Sequence, residues 1–215
     1  MIPAVHRRPS APHAALALAA TLLLATCSTN GAATPVPVPA GTPAAAACPT
    51  SQPAPLPAGE TRTVTIETDK GTIAVKIAAD LSPIAAGNFV ALAGCGYYNG
   101  VVFHRVVPGF VIQGGDPTGT GTGGPGYEIQ DEPVTATYGR GTVAMARSSQ
   151  PNSVGSQFFI VLDDAARAAL ASANTYQIIG TVVSGMDAVD AIAAAADAEL
   201  PSQPVVMTKV TVSNP

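Results

Sequence analysis

Two stretches of the chain place polar groups on otherwise apolar strand patterns. The first is Phe103-His104-Arg105-Val106-Val107-Pro108-Gly109-Phe110-Val111-Ile112-Gln113-Gly114-Gly115-Asp116, and the second is Gly155-Ser156-Gln157-Phe158-Phe159-Ile160. A guanidinium (Arg105), two carboxamides (Gln113, Gln157) and phenyl rings (Phe110, Phe159) are thus interleaved with aliphatic residues. Polar groups cost free energy when buried without partners, so several of them on apolar strands indicate a pocket wall rather than a plain core. Alternation puts Phe103, Arg105 and Val107 on one strand face and Val102, His104 and Val106 on the other. Val111 shares a face with Gln113, and Gln157 with Phe159. Such a wall suits an extended peptide carrying an apolar side chain. It holds no nucleophile–base pair and no carboxylate dyad, so the chemistry it supports needs neither a covalent nor an acid–base step. Asp116, between two glycines and a proline, reads as a turn former, and His104 as a packed or hydrogen-bonded residue.

The elements that must hold this wall are legible. Thr63–Glu67 and Thr72–Ile77 alternate around Asp69-Lys70-Gly71 and predict a β-hairpin. Ser82-Pro83 predicts a helix start, with Ser82 as N-cap and Pro83 in the first turn; Gly94 and Gly96 stop it. Strands are expected at Val101–Val106, Phe110–Gly114, Thr142–Arg147, Gln157–Leu162, Gln177–Val183 and Val205–Val212, with a second helix over 185–196. Eight antiparallel strands and two helices predict a mainly β fold, a closed eight-stranded barrel capped at its ends by the helices. The run Gly119–Gly126 lacks the Gly-Lys-Ser/Thr ending of a phosphate loop and reads as a long barrel loop.

The first sixty residues have a different character. His6, Arg7 and Arg8 precede an apolar run from Ala14 to Ala25, which is the layout of a secretory signal peptide, 1–26. The run ends in Leu24-Ala25-Thr26-Cys27, which resembles a bacterial lipobox with Thr in place of the usual small residue. Lipidation of Cys27 and a membrane-anchored, outward-facing protein are therefore expected. The alternative is ordinary cleavage near Gly31-Ala32-Ala33 and a secreted soluble protein. Residues 27–60 are rich in Pro, Ala and Thr and predict an extended tether of up to roughly 100 Å at ~3.1 Å per residue. The folded domain is expected over 61–215, enough for one core. Of the remaining cysteines, Cys48 lies in the tether and Cys95 after the first helix; whether they pair is left open. Three Cys and three His in no ligand-like spacing give no metal site. The formal net charge is −4 and no basic run follows Arg7-Arg8, which argues against nucleic acid as a partner.

From Thr63 to Val212 the chain resembles the cyclophilin-type peptidyl-prolyl cis–trans isomerases. The resemblance rests on the first stretch quoted above, on Gly119-Thr120-Gly121-Thr122-Gly123-Gly124, on Ala144-Met145-Ala146-Arg147-Ser148-Ser149-Gln150-Pro151-Asn152-Ser153-Val154-Gly155-Ser156-Gln157-Phe158-Phe159-Ile160, and on Ile179-Gly180 with the helix after it. The short loops and the Arg147–Ser153 motif are similar to the bacterial branch. The resemblance implies rotation about X–Pro bonds without a cofactor, and a monomer acting on proline-containing segments of unfolded or exported proteins. It implies Arg105 as the catalytic residue. Phe110, Val111, Phe159 and Leu170 would floor a proline pocket, and Gln113 would bind substrate backbone. Ala146, Arg147 and Gln157 would line the groove before proline, with Gly121 at its edge and Tyr176 where other branches carry His. The chain departs from many members in having no Trp and in carrying Arg147 where they have Asn. A proline-peptide binding module without turnover would share the pocket. It would not need a guanidinium aimed at the twisting bond.

Overall fold

The computed structural model describes residues 47–214. The expected leader, Cys27 and the tether up to residue 46 lie outside them. Eight strands form one antiparallel sheet: β1 (Thr61–Thr68), β2 (Gly71–Ala78), β3 (Arg105–Val107), β4 (Val111–Gly114), β5 (Thr142–Met145), β6 (Phe158–Val161), β7 (Ile178–Ser184) and β8 (Lys209–Ser213). Their order is β3-β4-β6-β5-β7-β2-β1-β8. Helices α1 (Pro83–Gly94), α2 (Arg167–Ala173) and α3 (Met186–Ala195) complete the fold, with a 3-10 turn at Asp164–Ala166 before α2. The expected hairpin is β1–β2, paired from Thr61↔Ala78 to Thr68↔Gly71.

The expected closed barrel is corrected to an open, curled half-barrel. No ladder joins the end strands β3 and β8. In its place stand an isolated bridge between Val102 and Val206 and single bonds such as Phe103 N–H to the Val205 carbonyl (2.9 Å). The segment before β8 carries Pro201 and Pro204, which have no N–H to give to a ladder. The strand expected over Val101–Val106 therefore shrinks to three residues. Phe103 and Val106 both enter the main core, so the alternation read through 102–107 breaks before β3 begins. The two expected helices become three; the added one, α2, carries Leu170.

Register divides the residues of the central strands between two faces. Val106, Ile112, Ile160 and Val143 are successive partners across β3, β4, β6 and β5, and all belong to the main core with Phe89 and Leu92 of α1 and Ile192 of α3. The neighbouring row, Arg105, Gln113, Phe159 and Ala144, faces the other way. There Val111, Ala144, Phe159 and Val161 pack with Leu170 and Ile178 in a second, smaller cluster.

Pro83 opens α1 as expected, but Ser82 does not cap it: the Ser82 hydroxyl is buried without a partner. The first free amides, Ile84 and Ala85 N–H, donate instead to the two oxygens of Glu132 at 2.8 and 2.9 Å. A carboxylate here satisfies orphan donors and complements the helix dipole.

Residues 47–60, expected as free tether, form a strap along α1. Cys48 and Cys95 are disulfide-bonded. Leu56 is buried and its N–H donates to the Pro83 carbonyl at 2.9 Å, and Gln52 accepts from Gln130 N–H. The strap also accounts for a glycine inside α1. A Cβ on Gly87 would stand 2.4 Å from the Ala54 carbonyl oxygen, so the ~1 kcal/mol helical penalty of glycine is accepted for close approach. The disulfide closes a loop spanning a sequence separation of 47. On chain-entropy grounds it contributes about 4 kcal/mol. A Cys95→Ser variant of the folded domain is expected to unfold at a clearly lower urea midpoint than the oxidised wild type, and an unchanged midpoint would mean that the strap clamps nothing.

Candidate functional site

The side chains of the candidate site come from the row Arg105–Gln113–Phe159, from Val111 beside it on β4, from Leu170 on α2, and from the loops around them. β3 and β4 are joined by Val107-Pro108-Gly109-Phe110, closed by Phe110 N–H to the Val107 carbonyl at 2.9 Å. Gly109 has φ +68°, the left-handed value that the residue after proline needs in this tight turn. The turn sets Phe110 over the second cluster and places Arg105 opposite Gln113.

A chain of hydrogen bonds crosses the row. The Arg105 Nη1–H donates to Gln113 Oε1 at 3.4 Å, and Gln113 Nε2 donates to Gln157 Oε1 at 2.9 Å. Gln157 Nε2 donates in turn to the carbonyls of Gly121 (3.0 Å) and Gly123 (2.9 Å). Both carboxamides are thereby oriented, and each leaves part of its hydrogen-bonding capacity free.

The far end of this chain is anchored by Asp116, which is fully buried. Its oxygens accept from Thr118 N–H and hydroxyl (both 2.7 Å), Gly121 N–H (2.6 Å), Gly123 N–H (3.0 Å) and, at 3.5 Å, the Thr120 hydroxyl. A Cβ on Gly123 would lie 2.1 Å from Asp116 Oδ1, so only glycine lets the loop wrap this closely. Burial acts to raise the Asp116 pKa, but the converging donors outweigh it and hold the carboxyl down at about 2. Asp116 is thus more than a turn former: it is the post around which the glycine–threonine loop is wound.

Beside Arg105 lies a cavity of about 320 Å³ lined by Arg105, Phe110, Val111, Gln113, Ala146, Arg147, Phe159, Leu170 and Tyr176. Phe159 and Tyr176 meet edge-to-face with centroids 5.3 Å apart, and the Tyr176 carbonyl accepts from the Tyr138 hydroxyl. A second cavity, of about 390 Å³, shares Gln113, Ala146 and Arg147 and adds Gly121 and Gln157. The structure thus gathers all the sequence-predicted groove residues around two adjoining hollows. Cys27 lies outside the described residues.

Arg147 is less available than its type suggests. Its guanidinium pairs with Asp131 at 2.9 Å and donates to the carbonyls of Ser148 and Gln150, which uses it to shape its own loop. His104 is buried, neither ring nitrogen has a hydrogen-bond partner, and burial pushes its imidazole below the ordinary value. It is a packed residue. Two residues at the site were not singled out from sequence. Asp131 holds Arg147, and Glu199 Oε1 accepts from Arg105 Nε–H at 2.7 Å. Neither lies in a motif, and Glu199 is 94 positions from Arg105. Among the described residues no group of three or more His, Cys, Asp or Glu could hold a metal ion.

The family model of the cyclophilin-type peptidyl-prolyl cis–trans isomerases matches residues 63–212, essentially the whole sheet with its helices. The chain belongs to the cyclophilin-type peptidyl-prolyl isomerases. A probable isomerase of this type from Brucella abortus is 42% identical over 149 residues, covering 64% of this chain and 74% of the relative. An isomerase from Synechococcus elongatus is 50% identical over 95 residues, 44% of this chain and 65% of that one. The crystal structure of a Cryptosporidium parvum cyclophilin-type isomerase superposes with a TM-score of 0.64 at 32% identity, covering 72% of this chain and 99% of that one. The same protein has also been solved in the presence of the dipeptide Ala-Pro. Like those relatives, this cyclophilin is a peptidyl-prolyl cis–trans isomerase.

The wound loop of this cyclophilin carries a pH signature. A carboxyl whose folded pKa is about 2 against an ordinary 3.8 contributes stability that is present above pH ~4 and lost as pH falls towards 2. The shift corresponds to roughly 2 kcal/mol. Asp116→Asn is expected to unfold at a lower urea midpoint than wild type at pH 7, with the two midpoints converging near pH 2. A gap that stays constant with pH would rule out the charge as its cause.

Proposed function

We propose that Arg105 is the catalytic group, that the cavity of about 320 Å³ seats the proline ring, and that the adjoining hollow takes the residues before it. The observation that carries this reading is the position of one guanidinium, fixed by a carboxylate and a carboxamide, at the rim of a cavity floored by Phe110, Val111, Phe159 and Leu170. Rotation about an X–Pro bond faces a barrier of ~18–20 kcal/mol because the amide is conjugated. Twisting localises a lone pair on the prolyl nitrogen. A guanidinium donating to that nitrogen stabilises the twisted state and not the planar ones, as catalysis requires. The apolar floor holds the ring while the acyl side turns, and Gln113 holds the substrate backbone. Replacing Arg105 by Ala is expected to lower kcat/KM at least a hundredfold, about 2.7 kcal/mol, with the fold intact. The check is exchange NMR or a protease-coupled assay on an X–Pro peptide, and near-wild-type turnover would refute the assignment.

We also propose that the protein is exported, anchored to the membrane through Cys27, monomeric, and active on proline-containing segments of other exported proteins. The apolar run ending in Leu24-Ala25-Thr26-Cys27 supports this reading. So does the Cys48–Cys95 disulfide, because such bonds persist in oxidising compartments. Stable anchoring needs more than one acyl chain, which a diacylated N-terminal cysteine supplies. Cys27→Ala should move the protein from the membrane to the soluble fraction. An unmodified mature N-terminus downstream of Cys27, read by mass spectrometry, would show secretion instead.

A further inference from the structure

Arg105 sits on a short edge strand with its side chain about one-third exposed (35%), an arrangement that by itself leaves a long side chain free to sample many rotamers. Glu199 removes that freedom from outside the sheet. Its backbone carbonyl accepts from Val106 N–H at 2.8 Å, which pins residue 199 beside β3. Its carboxylate then accepts from Arg105 Nε–H at 2.7 Å. The anchored donor is the one nearest the side-chain stem. The Nη1 end turns to Gln113, and the remaining Nη hydrogens stay available at the cavity rim. An exposed ion pair of this kind contributes little to stability, so its consequence is orientation. We infer that Glu199 is a positioning residue for the isomerase: it holds the Arg105 guanidinium in the orientation that meets the prolyl nitrogen.

This rests on the reading of Arg105 as the catalytic group, and the test separates the two. The expected result is a roughly three- to tenfold loss of kcat/KM in Glu199→Ala, the scale of re-ordering one long side chain. Glu199→Gln keeps a hydrogen-bond acceptor and should retain at least about half of wild-type activity. In the Arg105→Ala background, Glu199→Ala should cost nothing further, because its effect passes through the missing guanidinium. The Arg105 Nε–Hε NMR resonance should shift in Glu199→Ala, while the melting temperature stays at the wild-type value. Wild-type or raised activity in Glu199→Ala, the same loss with Arg105 absent, or a Gln variant as impaired as the Ala variant would each overturn the inference. Full activity in Arg105→Ala alone would overturn the catalytic reading itself.

Discussion

The site depends on sheet register. Arg105, Gln113 and Phe159 are direct partners across β3, β4 and β6, and the adjacent row, Val106, Ile112 and Ile160, fills the core. A slip of one residue would carry the guanidinium and the carboxamide into the main core and turn the aliphatic row outward. Burying those groups unpaired costs several kcal/mol, so the same hydrophobic pattern that folds the sheet also selects the groove. Arg105 and Gln113 thus need no separate device to reach the right face. They need help only with orientation once they are there.

That help comes from loops. Asp116 gathers donors from the glycine–threonine loop, the loop's carbonyls orient Gln157, Gln157 orients Gln113, and Gln113 meets Arg105. Glu199 closes the series on the other side of Arg105. The carboxylates sit at the ends and neutral carboxamides in the middle. Arg105 and Arg147 both line the apolar cavity, and each is paired with a carboxylate, Glu199 and Asp131 respectively.

The strap and the Glu132 cap do comparable work away from the groove. Glu132 joins the start of α1 to the stretch between the glycine-rich loop and β5, and Gln177 donates to both Glu132 and the Gln130 carbonyl. Asn88 of α1 donates to the Gly155 carbonyl and accepts from the Tyr127 hydroxyl. Helix α1 is therefore tied to Tyr127, to Glu132 and to the Gly155 carbonyl two positions before Gln157, and the disulfide ties the strap to the residue just after that helix. Rigidity at Gln157 draws on packing well outside the cavity.

The sequence alone determined what is local. Alternation located the hairpin and most strands, Pro83 marked the start of α1, and the face shared by Val111 and Gln113 followed from periodicity. The motifs carried the family, and the family named the residues that line the two hollows. What it left undetermined joins distant parts of the chain: Glu132 in place of Ser82 at the helix start, Asp131 on Arg147, Glu199 on Arg105, the Cys48–Cys95 strap, and a sheet that stays open because the proline-bearing segment before β8 forms no ladder. Periodicity and propensity act over a few residues. These contacts span 16 to 94 positions, and their formation is decided only when register and packing bring the partners within hydrogen-bond reach.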